Sequence, residues 1–220
     1  MKAIRTGLVA LVATAVSTLA MADVAYTFDA DTQGFTLVGD GTLAHVAGGG
    51  NGHLSVTDTN GNTDVYLQMP LPAAVNDWSA YLGGTLSFDG VMLNGATPSW
   101  PDFGIVRFTS ATDQVAFADL APNAGSVITE PGLAWKTYTA TLDAATFNQG
   151  TASLASVLAN LKSVSFSMEA GNGPVEVVGV DNVRLTTAVP EPETWALMLA
   201  SLGLLGLRGL RGLQGLRRKA

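Results

Sequence analysis

Short runs in which apolar and polar residues alternate fill the middle of this chain, and they leave few folds open to it. "VAYTFDA", "GTLAHVA", "HLSVTDT", "DVYLQMP", "GTLSFDGVML", "FGIVRFTSA", "KTYTATLD", "SVSFSMEA" and "VEVVGVDNVRL" are rich in Val, Thr, Tyr and Phe, residues that suit a pleated, half-buried surface. Turn residues separate the runs, at 48–52, Asn60-Gly61-Asn62, Gly83-Gly84, Asn94-Gly95 and Gly171-Asn172-Gly173-Pro174. Short strands at such intervals indicate an all-β protein, an antiparallel sandwich or barrel. One segment differs. "TASLASVLANLKSV" places Leu154, Val157, Leu158 and Leu161 at helical spacing, which predicts a single short helix over 154–162.

The chain has no cysteine, so the fold has to stand on its apolar core, with or without bound metal. Both ends read as addresses. Lys2 and Arg5 precede the apolar "GLVALVATAVSTLA", and Ala20-Met21-Ala22 offers a small-x-small cleavage site. That order predicts a secretory signal peptide over 1–22, removed by signal peptidase before Asp23. Near the other end, Pro190 and Pro192 keep the backbone extended and open to a processing enzyme. Trp195 suits the membrane interface, and the uncharged "ALMLASLGLLGL" that follows predicts a C-terminal transmembrane helix. Its leucines continue to Leu216, Arg208 and Arg211 can snorkel along a tilted helix, and Arg217, Arg218 and Lys219 form a basic stop on the cytoplasmic side.

The net charge of −7 averages two opposite parts. Between Asp23 and Val189 four bases (Arg107, Lys136, Lys162, Arg184) face sixteen acids, a net charge of −12. Such a surface repels phosphate backbones, which excludes nucleic acid as a partner.

Two resemblances follow from these residues. The recognition motif Val189, Pro190, Glu191, Pro192, the apolar helix and the basic end together resemble the PEP-CTERM sorting signal over 188–220. This implies processing by an exosortase, a transient membrane anchor, and delivery to the surface or biofilm matrix of a Gram-negative bacterium that makes exopolysaccharide. A permanent anchor is the alternative. The middle, through "SAYLGGTLSF" (79–88) and Asp181-Asn182-Val183-x-Leu185, resembles laminin B-type domains. That resemblance implies a jelly-roll β-sandwich over 23–187, akin to carbohydrate-binding modules and without a catalytic centre.

Few residues suggest chemistry. His45 and His53 are the only histidines, with no nucleophile elbow near them. Glu130, Glu169 and Glu176 are conceivable hydrolase carboxylates, although solvated surface acids are commoner. Asp29-Ala30-Asp31 before Gly34 resembles the opening of a calcium loop. The likeness to carbohydrate-binding modules implies a structural calcium ion held by Asp29 or Asp31 together with Asp181; turn formation and strand-end hydrogen bonds are the plainer reading of the same residues. "DTNGNTD", from Asp58 to Asp64, carries the same ambiguity. Of the aromatic residues suited to glycan stacking, Trp78 and Tyr81 are expected to pack internally, Trp135 is a further candidate, and Trp100, between Pro98 and Pro101, is expected on the surface. The sequence thus predicts a secreted, non-catalytic protein that associates with exopolysaccharide; a glycan hydrolase and a structural coat protein are the competing readings.

Overall fold

The computed structural model describes residues 22–59, 64–72, 76–171 and 175–188. The signal peptide ahead of Ala22, the sorting residues Val189, Pro190, Glu191 and Pro192, the C-terminal helix and the basic stop Arg217, Arg218 and Lys219 lie outside them. Among the described residues no helix is long and apolar enough to cross a membrane.

Two antiparallel sheets form a β-sandwich. The first sheet runs β3 (Thr42–Val46), β4 (His53–Asp58), β12 (Glu176–Thr186), β6 (Thr85–Met92), β9 (Lys136–Thr141), with β1 (Val24–Tyr26) also paired to β12. The second runs β10 (Gln149–Gly150), β8 (Val115–Asp119), β7 (Ile105–Ser110), β11 (Leu161–Ser167), β5 (Tyr66–Met69), β2 (Thr36–Val38). β2, β8 and β10 escape the sequence reading. The first and last are too short to show a period, and "VAFAD" in β8 carries only one large apolar side chain.

Alternation sets which side chains meet between the sheets. Leu54 and Val56 of β4, Leu86 and Phe88 of β6, Val106 and Phe108 of β7, and Val164 and Phe166 of β11 all point inward and are buried. Phe88 stacks on Tyr138 with ring centres 5.2 Å apart and meets Phe166 of the opposite sheet edge-on at 5.5 Å. β12 crosses the first sheet for 11 residues. Halfway along, its register against β6 shifts between Asp181 and Arg184, with Asn182 at φ 49°. Asn takes this left-handed conformation more readily than most residues. The bulge lets the alternation resume so that Val183 and Leu185 still face the core.

The helix is shorter than its period suggests. α1 spans Leu154–Leu158, capped by Ser153, whose hydroxyl accepts from Ser156 N–H. Leu154, Val157 and Leu158 bury their side chains as expected. Lys162 belongs to β11 instead, because Leu161 N–H donates to Asn76 C=O and pairing with β7 begins there.

Candidate functional site

The outer face of the second sheet carries the best-formed surface. Register aligns Gln149, Phe117, Arg107, Ser165, Gln68 and Thr36, one from each strand, into a single row across the sheet. All are outward-facing partners of buried residues. The central strand β11 presents Ser163 and Ser165 outward, so its side chains form a low floor, while Ser167 is buried. Arg107 stands beside this floor and Tyr66 on its far side. The guanidinium lies 5.5 Å from the centre of the Tyr66 ring and 5.8 Å from that of Phe117. It makes no salt bridge among the described residues, and its Nε has no hydrogen-bond partner among them. That Nε is buried, so hydroxyl oxygens can be met only by the terminal N–H groups of this cation, while the rings receive C–H groups.

Acids rim this row. Tyr66 donates its hydroxyl to Asp64 at 2.8 Å. Burial raises the pKa of that hydroxyl, Asp64 raises it further, and Arg107 pulls it back. Trp100, expected at the surface, is 38 % exposed and gives its indole N–H to Asp102 at 3.1 Å. The Asp102 charge is felt at both Tyr66 and Asp119, which ties the Trp100 loop to this face. Trp78 and Tyr81 are fully buried, as packing residues. Trp135 lies on the other sheet's outer face, edge-on to His53 at 5.4 Å. Its indole fits over Gly179, where a β-carbon would come within 2.9 Å of it.

Tyr66, Arg107 and Phe117 were not among the residues singled out from sequence. Their signal was present, since in "DVYLQMP" and "FGIVRFTSA" the residues between the core positions include a tyrosine, a glutamine and an arginine. Which strands lie side by side decides that they meet, and β8, which carries Phe117, was not foreseen.

The remaining candidates are separated or buried. His45 faces inward, 2.7 Å from Phe28 C=O through Nε2, while His53 faces outward, so the two occupy opposite sides of one sheet. Asp29 accepts from Thr27 Oγ1 and Asp31 from Gln33 N–H, both at the surface. Asp181 accepts from the Asn182 N–H at 2.6 Å within the bulge. Burial raises its pKa, with the neighbouring charges of Asp89 and Asp29 adding to the rise. These three are not gathered as one group of oxygens within 4.8 Å of one another. Among the described residues the group that is so gathered is Asp58, Glu169 and Glu176, all buried, each offering an oxygen within 4.8 Å of the others. Glu130 is elsewhere, accepting from Tyr138 Oη and paired with Lys136. Glu169 and Glu176 therefore come together as the sequence reading allowed, each 4 % exposed.

Burial is the main reason both carboxyls are pushed up to about 7, and neighbouring charge adds to it: Glu176, Asp58 and Asp64 around Glu169, and Asp58 beside Glu176. The N–H groups of Val65 and Ala170 oppose the rise, and no basic group joins them. The folded protein thus holds these protons more tightly than the unfolded chain. The stability they contribute is complete below about 4.5 and lost as pH rises through about 7. In metal-free buffer Tm is expected to fall across that window, and Glu176→Gln to flatten the fall. A parent Tm that rises steadily from pH 4.5 to 7.5 would contradict this.

Comparison with known proteins bears first on the tail. Residues 188–214 match the PEP-CTERM protein-sorting motif. The PEP-CTERM match covers only this C-terminal stretch, and no curated protein matches the chain. Among solved structures the chain is similar to an exo-beta-agarase (15 % identity, TM-score 0.50), covering 76 % of this chain and 26 % of the agarase. It is also similar to CtCBM11 (17 %, 0.49, covering 78 % and 99 %) and to the CBM22-1 xylan-binding domain from Paenibacillus barcinonensis Xyn10C (16 %, 0.43, covering 76 % and 95 %). The chain thus spans about a quarter of the agarase's length, and that likeness is one of fold.

Proposed function

We propose that this protein is an exosortase substrate, carried through the inner membrane and released to the cell surface or extracellular matrix, whose β-sandwich binds polysaccharide on the outer face of the second sheet without cleaving it. The observation that carries the binding reading is Arg107, poised between the rings of Tyr66 and Phe117 with no anionic partner among the described residues. Sugar rings offer apolar C–H faces and many hydroxyls, and that surface answers both. The net charge of −12 between Asp23 and Val189 favours a neutral glycan over an acidic one unless divalent ions bridge the two. Burial of Glu169 and Glu176 supports a non-catalytic role. The laminin B-like reading of residues 23–187 belongs to the same proposal, as the non-catalytic module of a surface protein.

The test incubates the purified full chain with the host's own exopolysaccharide and with a panel of neutral polysaccharides, measuring retention and released reducing sugar together. Retention without sugar release is the expected result. Sugar release would make the protein a hydrolase, and absence of retention on every polysaccharide would make it a structural coat protein.

The sorting half has its own test. Intact mass of protein extracted from the surface is expected to show an N-terminus at Asp23 and loss of the apolar tail. Replacing Pro190, Glu191 and Pro192 with alanine should leave the tail on. Parent molecules that all end at Ala220 would establish the permanent anchor instead.

A further inference from the structure

Asp58 ends β4, Glu176 begins β12 directly opposite it in the register, and Glu169 follows β11, so three carboxylates from three neighbouring segments converge. Each side chain is at most 4 % exposed. One oxygen of Glu176 is occupied, accepting from Ala170 N–H at 2.7 Å. Its Oε2, like Oε2 of Glu169, is buried and has no hydrogen-bond partner among the described residues. Leaving such atoms unanswered is costly. The charges felt at Glu169 are those of acids alone, and the two salt bridges among the described residues lie elsewhere, at Lys136–Glu130 and Lys162–Asp113. Among the described residues no basic side chain acts on Glu169 or Glu176.

Oxygens around one calcium ion at 2.3–2.6 Å span about 5 Å across the ion, and the 4.8 Å separation fits that span. Access is present as well. A cavity of about 80 Å³ reaches Glu176, with Thr97, Ser99 and Gly171 on its wall. Gly171 leaves the way to Glu176 open, since a β-carbon there would sit 2.2 Å from Oε2. We propose that Asp58, Glu169 and Glu176 bind a divalent cation, calcium by the hardness of an all-carboxylate donor set, which ties β4, the end of β11 and the start of β12 together. This site is distinct from the Asp29, Asp31 and Asp181 expected from sequence, and it stands whether or not the sandwich binds glycan.

Thermal melts of the purified full chain in calcium chloride and in chelator test it, with isothermal titration of calcium as the direct readout. At a calcium concentration about a hundredfold above Kd, Tm is expected to rise by about 5–10 °C. Glu176→Gln and Glu169→Gln keep the shape and remove a charge. In chelator these variants should melt at or above the parent, which shows that they fold, while the calcium shift and the titration heat disappear. Identical parent melts with and without calcium, together with no heat of binding, would overturn the site. A shift retained in Glu176→Gln but lost in Asp181→Asn would also overturn it, by placing the ion beside Asp29 and Asp181.

Discussion

Phe88→Ala is expected to cost about 3–5 kcal/mol, the range found when a large buried aromatic is truncated and its site cannot collapse. Phe88 is fully buried on β6, stacked on Tyr138 and edge-on to Phe166 of the opposite sheet, with Phe103 6.0 Å away. It therefore joins the two layers rather than filling a corner of one. Removing the ring leaves a void walled by three other rings that are held by their own strands and loop. For a domain of this size the loss corresponds to a fall in Tm of about 10 °C or more. Urea or thermal unfolding measures it, with Phe88→Leu as a milder control. A Phe88→Ala melt within 2 °C of the parent would mean that this cluster does not hold the sheets together.

The second large effect is on binding. Arg107→Ala is expected to weaken glycan retention at least tenfold, because truncating a desolvated, hydrogen-bonding arginine at the centre of an interface typically costs more than about 1.4 kcal/mol. Arg107→Lys should not rescue it. An ammonium group lacks the flat face that lies against Tyr66 and Phe117 and the forked donors that two hydroxyls could share. Phe117→Ala should act in the same direction, and Trp135→Ala, on the other sheet, should leave retention unchanged. None of these side chains belongs to the buried core, so unaltered melts separate a lost contact from a lost fold. Equal retention by parent, Arg107→Ala and Phe117→Ala would move the binding surface elsewhere.

How much of this was legible beforehand depends on which interactions are local. The runs that became β4, β6, β7 and β11 announced themselves because each buries one face along most of its length, and a period of two records that burial in the sequence; β12 showed itself by its valines, although a bulge breaks its alternation. Burial of Trp78 and Tyr81 was expected from the stretch that resembles laminin B-type domains, in which both fall, and both are fully buried. The helix ran too long on paper because Leu161 keeps the helical period by coincidence, being buried as the first residue of a strand. The binding row was not legible. Phe117, Arg107, Ser165 and Gln68 are far apart in sequence, and only strand order and register bring them abreast. The acid group failed to appear for the same reason. Asp58 was read with Asp64 as a hairpin turn or calcium loop, and Glu130, Glu169 and Glu176 as conceivable hydrolase carboxylates, whereas pairing of β4 with β12 brings Asp58, Glu169 and Glu176 into one cluster. Asp181, expected beside an ion, has hydrogen bonds that serve a bulge, accepting from the N–H and the side-chain amide of Asn182.

The central claim is that glycan lies across the second sheet's outer face, and backbone amide shifts of the isotopically labelled protein, titrated with an oligosaccharide of whichever polysaccharide retains it, test this most directly. The expected result is saturable perturbation concentrated at Tyr66, Gln68, Arg107, Phe117 and Ser165, with His53, Trp135 and Gly179 on the opposite face unmoved. Saturable perturbation centred on His53, Trp135 and Gly179, with the Arg107 row silent, would contradict it.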